Sequence, residues 1–162
     1  MDFAYNDEQK EIIKVVRDLV EKEIVPYAAE MDETGKLHEG LLEKLAAQGL
    51  LGVAIPEEFG GAGLDAITIA AIYEELGKGC AGVATTVAAN ALASYPVIIA
   101  GNDDQKKRYF DIINDDNLAA FALTEPGTGS DAGSVSTRAM KTEDGKGYIL
   151  NGTKCFITNG AL

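Results

Sequence analysis

Apolar residues recur every three or four positions through the first two-thirds of the chain, which is the spacing of one face of an α-helix. The first stripe consists of Ile12, Ile13, Val16, Leu19, Val20 and Ile24. Asn6 and Gln9 precede it in the arrangement of a capping box, and Pro26 predicts that the helix ends or kinks there. A turn is predicted at Thr34-Gly35. The second stripe consists of Leu41, Leu42, Leu45 and Ala46, with Gly49 as its predicted end.

Three further helices are predicted after this pair. Asp65 is expected to cap a helix that runs to Gly77, and Asp103 or Asp104 a short amphipathic helix. Between them, residues 79–102 carry no charge and are numerous enough to span a bilayer. Because polar side chains and Pro96 interrupt this run, the pattern favours a buried helix at the centre of a helical domain.

The pattern changes after residue 117. Segments 118–124, 134–141, 147–150 and 154–158 are short and rich in apolar or β-branched residues, which predicts strands of an antiparallel sheet. Turns are expected at Asp144-Gly145 and Asn151-Gly152. We therefore expect two domains, 1–117 and 118–162. Because so few strands rarely bury a face alone, the second domain is expected to be incomplete.

Composition excludes several classes of function. Lys and Arg number 14 and Asp and Glu 26, a net charge of −12 that disfavours nucleic acids and anionic membranes as partners. Cys80 and Cys155 lie far apart, with His38 as the sole histidine, so no metal site is predicted. The acidic N-terminus lacks the pattern of a signal peptide, and we expect a cytoplasmic protein.

The stretch 121–133, FALTEPGTGSDAG, carries the strongest candidate chemistry. It enters as a predicted buried strand and leaves through Glu125-Pro126, after which Gly127 and Gly129 permit close approach of a flat or phosphorylated ligand. An ordinary exit from a strand into a loop is the alternative. The glycines of residues 60–63, GGAG, match neither a P-loop nor a dinucleotide fingerprint and predict a connecting loop.

A helical region followed by LTEPGTGSDAG and NGTKCFITNG resembles the acyl-CoA dehydrogenase family. PEEFGGAG, YPVIIAG and DDQKKRYF stand in family-like order, so the resemblance covers the whole chain. It implies an α+β fold class: an all-α N-terminal helical bundle, then the first strands of an antiparallel β-barrel domain. The short first helices and the run AGVATTVAANALASYP suggest the short-chain, butyryl-type members.

The resemblance implies an FAD-dependent enzyme of fatty-acid β-oxidation that converts acyl-CoA to 2,3-enoyl-CoA. It also implies an electron-transfer flavoprotein as electron acceptor and a homo-oligomer, a tetramer or a dimer. Residues matched to the flavin site are Phe121, Ala122, Leu123, Thr124, Gly129, Ser130, Phe156, Ile157 and Thr158. Ser130 is also matched to a contact with the CoA ester, and strand alternation predicts that Cys155 and Ile157 point away from Phe156.

Two positions depart from the family pattern. Phe156 stands where many relatives carry tryptophan, so it keeps a flat apolar wall without an indole N–H. Thr128 stands where a smaller residue or asparagine is usual, which makes the contact of Ser130 less secure. The family's glutamate base lies beyond residue 162, so no catalytic residue is predicted, and neither Glu125 nor Asp131 is given that role. An acyl-CoA oxidase or related flavin enzyme, and a non-catalytic fragment or scaffold, remain alternatives.

Overall fold

The computed structural model describes residues 4–113 and 117–161. Its α-helices are α1 (Asp7–Leu19), α2 (Ala28–Thr34), α3 (Leu41–Ala47), α4 (Ala66–Gly79), α5 (Ala81–Ala100) and α6 (Asp103–Ile113). The strands are β1 (Arg138–Lys141) and β2 (Tyr148–Asn151). Single turns of 3₁₀ helix occur at Val25–Tyr27, Leu50–Gly52, Glu57–Phe59 and Ala132–Ser134.

The capping box predicted for α1 is confirmed. The Asn6 side chain accepts a hydrogen bond from the Gln9 backbone N–H at 2.8 Å, and the Gln9 side chain accepts one from the Asn6 N–H at 3.1 Å. Two of the backbone donors left free at a helix start are thereby satisfied. The predicted turn at Gly35 and the predicted end of α3 at Gly49 are also confirmed, because both glycines have left-handed backbone conformations.

Pro26 lies within a change of helical type. After α1 the chain widens into a π-helical turn, Val20–Ile24, and tightens into the 3₁₀ turn that contains Pro26. Helix α4 crosses this turn closely at Gly79, where a Cβ atom would lie 2.6 Å from Cγ1 of Val20. Close crossing of this kind requires glycine on one side of the contact.

The principal core is built by helices α1 to α5 with the π-helical turn and the 3₁₀ turn Leu50–Gly52. Its buried members are Val16, Val20, Ile24, Met31, Leu41, Leu45, Leu50, Leu51, Val53, Ile69, Ile72, Leu76, Val83 and Val87. Asp65 caps α4 as predicted, accepting hydrogen bonds from the backbone N–H groups of Ile67 and Thr68 at 2.8 and 3.2 Å. The helix continues to Gly79, two residues beyond the predicted end at Gly77.

Helix α5 is buried on one face only. Asn90 and Ser94 are enclosed, whereas Leu92 and Ile99 are 52% and 81% exposed, so the helix predicted to be buried is enclosed on one side only. Pro96 lies inside the helix and does not end it. By length and composition α5 is the one helix among the described residues that qualifies as a membrane span, a test that core helices also pass. Its packing against α4 and α6 makes it a core helix here.

The cap of α6 lies one residue before the predicted Asp103 or Asp104. Asn102 accepts a hydrogen bond from the Gln105 N–H at 2.9 Å, and the Gln105 side chain accepts one from the Asn102 N–H at 3.0 Å. The two aspartates instead occupy the first turn, where negative charge favours the helix dipole.

Beyond residue 117 the prediction of a mainly stranded region is wrong. The described residues there contain only β1 and β2, which pair antiparallel from Arg138 with Asn151 to Lys141 with Tyr148. Gly145 is left-handed in the predicted turn between them, whereas Asn151-Gly152 ends β2 without a hairpin. Segments 118–124 and 154–158 are irregular, and one backbone hydrogen bond, from Cys155 N–H to Thr124 O at 3.0 Å, joins them. A strand requires a continuous ladder to a neighbour, which they lack.

The helical bundle followed by a short antiparallel sheet confirms the α+β fold class. The predicted boundary near residue 117 adjoins residues 114–116, which lie outside the described part of the chain. It stays a prediction, as do the domain ends at residues 1 and 162, which also lie outside it.

Two asparagines fasten the second region to α5. The buried Asn90 donates to the carbonyls of Leu51 and Asn117 at 3.4 and 3.3 Å, and its side-chain oxygen accepts from the Ala119 N–H at 2.8 Å. Asn159 donates to the carbonyls of Thr86 and Ala119, both at 3.0 Å. The backbone of Ala119 is therefore held by both its N–H and its C=O.

Candidate functional site

A cleft of about 610 Å³ lies between α4, α5 and the two irregular segments. Its lining residues are Tyr73, Thr85, Ala88, Ala89, Ala91, Leu92, Tyr95, Phe121, Leu123, Thr124, Phe156, Ile157 and Thr158. None of these side chains carries a charge, although the chain has a net charge of −12. Apolar walls with a few hydroxyl groups are typical of a pocket for a flat, largely neutral ligand.

Most of the predicted site residues meet in this cleft. Phe121, Leu123 and Thr124 form one wall, and residues 156–158 form another. Ala122 is exposed and lies outside the lining. Gly129 and Ser130 are also exposed and outside it, because the chain reverses direction before it reaches them.

Phe156 departs from the predicted strand geometry. Its φ of 56° is left-handed, so no strand runs through it. The expected alternation of exposure is still present, because Cys155 and Ile157 are half-buried and Phe156 is 94% exposed. A bulky residue in this conformation costs of order 1–3 kcal/mol and persists only where its surroundings impose it. The result is an aromatic ring held open at the edge of the cleft, which suits stacking against a flat ligand.

Glu125, which the sequence left without a role, joins both walls of the cleft. Its carboxylate is 4% exposed and accepts from Ser136 N–H and Oγ at 2.7 and 2.6 Å, from Thr137 N–H at 3.0 Å and from Lys154 Nζ at 2.9 Å. Lys154 also donates to the Leu123 carbonyl at 2.9 Å. Hydrogen bonds from Ser136, then Thr137, then Lys154 hold the pKa of Glu125 well below its usual range. A carboxylate so engaged is not placed to act as a general base.

Thr128 closes a tight reversal directly after the first wall. The backbones of Glu125 and Thr128 exchange hydrogen bonds at 3.1 and 3.0 Å, which leaves Pro126 and Gly127 at the tip. The Thr128 hydroxyl is buried and donates to the Ser134 carbonyl at 3.0 Å. The family departure at Thr128 thus adds a contact that fixes the loop. No described atom lies within 4 Å of a Cβ built on Gly127 or Gly129, so the loop retains open space for a ligand.

Tyr73 is a wall residue of the cleft that the sequence did not single out. Its hydroxyl is buried and has no hydrogen-bond partner among the described residues. Burial, with a smaller contribution from Tyr95, raises the pKa of Tyr73 to about 12, so the phenol stays neutral at ordinary pH. The cleft therefore remains uncharged. No group of three or more His, Cys, Asp and Glu side chains in the described ranges could hold a metal ion.

The helical bundle forms one side of a neutral cleft. The region after residue 117, which is held by polar contacts, forms the other side. Two families match the amino-acid sequence: "Acyl-CoA dehydrogenase, N-terminal domain" over residues 6–114 and "Acyl-CoA dehydrogenase, middle domain" over residues 120–162. The chain belongs to the acyl-CoA dehydrogenase family, and the resemblance read from its motifs is confirmed.

One similar protein is a 3-(aryl)acrylate reductase from Clostridium sporogenes, 43% identical over 159 residues, which are 96% of this chain and 41% of the relative. The chain thus spans about two-fifths of that relative's length.

Solved structures agree closely with the fold. An electron transferring flavoprotein structure from Acidaminococcus fermentans matches with a TM-score of 0.90 and 36% identity, covering 99% of this chain and 42% of that one. Butyryl-CoA dehydrogenase from Megasphaera elsdenii matches with a TM-score of 0.87 and 38% identity, covering 99% and 43%. An acyl-CoA dehydrogenase complexed with FAD from Bacillus anthracis matches with a TM-score of 0.86 and 38% identity, covering 98% and 28%.

Proposed function

We propose that this chain forms part of an FAD-dependent acyl-CoA dehydrogenase that oxidises an acyl-CoA thioester to its 2,3-enoyl thioester. The proposal rests on one observation: two segments some thirty residues apart in sequence, one with Phe121, Leu123 and Thr124 and the other with residues 156–158, line one uncharged cleft. They are the two segments that the family resemblance matches to the flavin. The FAD complex of the Bacillus anthracis relative supports the choice of cofactor.

The walls of the cleft fit a flavin ring. Bound FAD would supply hydride acceptance from the β-carbon of the acyl group. The exposed ring of Phe156 offers a flat apolar surface that excludes water from one face of the flavin. The hydroxyls of Thr124 and Thr158 are lining groups able to donate hydrogen bonds where negative charge develops during reduction.

Ser130 is proposed to contact the thioester of the substrate rather than the flavin. It is exposed and lies beyond the Glu125–Thr128 reversal, outside the cleft lining. A substrate would therefore reach Ser130 by running along the loop, next to the open space at Gly129. Gly129 and Ala122 contribute backbone rather than side-chain groups to the flavin site.

The proposal is tested on the full-length protein. We expect a yellow purified protein, FAD binding by calorimetric titration, and bleaching of the flavin absorption by butyryl-CoA under anaerobic conditions. Acetyl-CoA, which has no β-carbon to oxidise, is the matched control. A protein that takes up no FAD would overturn the proposal and support the scaffold alternative.

A second candidate function is the reverse reaction, reduction of a 2,3 double bond. The relative from Clostridium sporogenes is named a reductase of 3-(aryl)acrylate, and it shares 43% of the aligned residues with this chain. Oxidation of pre-reduced flavin by an arylacrylate or its thioester, faster than its reduction by saturated acyl-CoA, would favour the reductase. Fast reoxidation of reduced flavin by oxygen would instead favour an acyl-CoA oxidase.

We further propose an electron-transfer flavoprotein as the electron acceptor, a homo-oligomer, and a cytoplasmic location. The match to the Acidaminococcus fermentans structure supports the first, since that structure is described as an electron transferring flavoprotein. Electron transfer to a purified electron-transfer flavoprotein tests the acceptor, and light scattering separates a dimer from a tetramer. Cell fractionation tests the location.

A further inference from the structure

We propose that Glu125 is a positioning residue that holds the two walls of the cleft at a fixed separation. The inference rests on the proposed function only in taking the occupant of the cleft to be FAD. The links themselves are contacts within this chain. Glu125 follows the wall formed by Phe121, Leu123 and Thr124, and Lys154 precedes the wall that begins at Phe156.

Three hydrogen bonds join the walls directly, and Lys154 supplies two of them. Its ammonium group donates to the Leu123 carbonyl and to the Glu125 carboxylate, both at 2.9 Å. The third runs from Cys155 N–H to Thr124 O at 3.0 Å. Lys154 is half-buried and Glu125 nearly enclosed, so this ion pair is shielded from solvent and has a fixed geometry.

The other contacts of Glu125 fix it to the start of the sheet. Oε2 accepts both the N–H and the hydroxyl of Ser136, and Oε1 accepts the Thr137 N–H beside Lys154. All four partners are donors, so the site requires two acceptor oxygens. Glutamine at residue 125 would replace one of the two oxygens by an NH₂ group, which would face other donors. A swap of Glu125 and Lys154 would leave the N–H groups of Ser136 and Thr137 without an acceptor.

The experiment compares Glu125→Gln, Lys154→Met and Lys154→Arg in the full-length protein. Glu143→Gln is the matched control, since Glu143 is an exposed carboxylate in the turn between β1 and β2. The first readout is hydrogen exchange of the Cys155 amide in the FAD-free protein, which reports the bond between the walls. The second is FAD affinity together with the flavin absorption spectrum.

We expect Glu125→Gln to exchange the Cys155 amide at least about tenfold faster and to bind FAD about tenfold more weakly, with a shifted spectrum. Lys154→Met should change both readouts in the same direction by a similar factor, because it removes two of the three hydrogen bonds between the walls although Ser136 and Thr137 keep their acceptor. Lys154→Arg keeps a cationic donor and should stay close to the wild type in both readouts. Glu143→Gln should change neither readout by more than about twofold.

Unchanged Cys155 exchange in Glu125→Gln would overturn the proposal, and so would faster exchange with wild-type FAD affinity and spectrum. If Glu125→Gln does not fold, the same two readouts on Lys154→Met decide. Failure of the proposed function can be told apart from failure of this proposal. If the proposed function fails, the wild-type protein binds no FAD, and exchange of the Cys155 amide alone still supports or overturns the link between the walls.

Discussion

The helical bundle and the region after residue 117 are held together by different forces. In the bundle, buried apolar side chains from successive helices and the turns between them form one core. In the second region every residue of β1 and β2 is exposed, and the structure is fixed by buried or half-buried polar groups, principally Asn90, Glu125, Lys154 and Asn159. Burial of apolar side chains is non-directional, so the local sequence pattern predicts it. A polar contact instead depends on one particular donor and one particular acceptor.

The largest contrast is expected when the 162-residue chain is produced alone. Its cleft has walls from α4, α5 and two irregular segments, and the Phe156 ring is open to solvent. A ligand that stays open to solvent beside Phe156 loses part of the burial that gives affinity, so we expect no turnover of butyryl-CoA and weak or absent FAD binding. Circular dichroism should still report a folded bundle. Micromolar FAD binding with turnover would contradict this expectation.

A pair of leucines tests the difference in apolar burial. Leu76 in α4 is 0% exposed and Leu150 in β2 is 71% exposed. Leu76→Ala is expected to lower the free energy of unfolding by about 2–5 kcal/mol, because it removes buried methyl groups and leaves a cavity. Leu150→Ala should change it by less than about 0.5 kcal/mol. Urea unfolding of the 162-residue chain, followed by its helical signal, makes the measurement, and similar losses would erase the distinction.

Removing one of the polar fasteners is expected to have an intermediate effect. Asn90→Ala leaves the Ala119 N–H, itself buried, without its acceptor, at a cost of about 1–3 kcal/mol. The Ala119 amide should exchange faster, while the amides of Ile72 and Leu76 keep most of their protection. Asn151→Ala, at the exposed end of β2, is the control. Equal acceleration throughout the bundle would mean that the two regions unfold as one unit.

An ion pair within the bundle gives a pH-dependent comparison. Hydrogen bonds from Arg17, at 3.0 and 2.9 Å, and from Lys78 lower the pKa of Glu75 from 4.5 to about 2. A lowered carboxylate pKa contributes stability that is complete above about pH 4.5 and is lost as the pH falls towards 2. Glu75→Gln should flatten the stability profile in this window, whereas Glu74→Gln on the exposed face should not. Parallel profiles for all three proteins would exclude the effect.

The smallest expected effect concerns the second wall of the cleft. In the full-length protein, Thr158→Val removes one hydroxyl with little change in volume. We expect either slower flavin reduction or a shifted flavin potential, equivalent to about 0.5–1.5 kcal/mol. Stopped-flow reduction by butyryl-CoA measures the rate, and Thr153→Val, outside the cleft lining, is the control. Unchanged kinetics would remove Thr158 from the site.

Local chemistry made the bundle predictable. The caps at Asn6 and Asp65 and the glycine ends at Gly35 and Gly49 use partners within four residues, which a sequence displays directly. The cap of α6 lies at Asn102, one position before the predicted residues, and one face of α5 is exposed where burial was predicted, because tertiary packing decides both. The strands predicted at 118–124 and 154–158 failed because β-propensity requires a neighbouring strand, and neither segment has a ladder.

The candidate site was predictable where the family motifs carried it. They placed Phe121, Leu123, Thr124 and residues 156–158, which the cleft brings together. Glu125 could not be assigned from its surroundings in sequence, because its partners lie 11, 12 and 29 residues away. The left-handed Phe156 was equally hidden, since no glycine marks that position.

The fastening of Ala119 by Asn90 determines which parts of the cleft move together. Helix α5 lines the cleft through Ala88, Leu92 and Tyr95. On the same helix, Asn90 accepts a hydrogen bond from the backbone of Ala119, which leads into Phe121. We therefore expect α5 and the first wall to move together, and Asn159, which donates to the carbonyls of Thr86 in α5 and of Ala119, ties the other wall to both. We therefore expect a larger occupant to displace the exposed Leu92 and Tyr95 side chains before it displaces the backbone around the cleft.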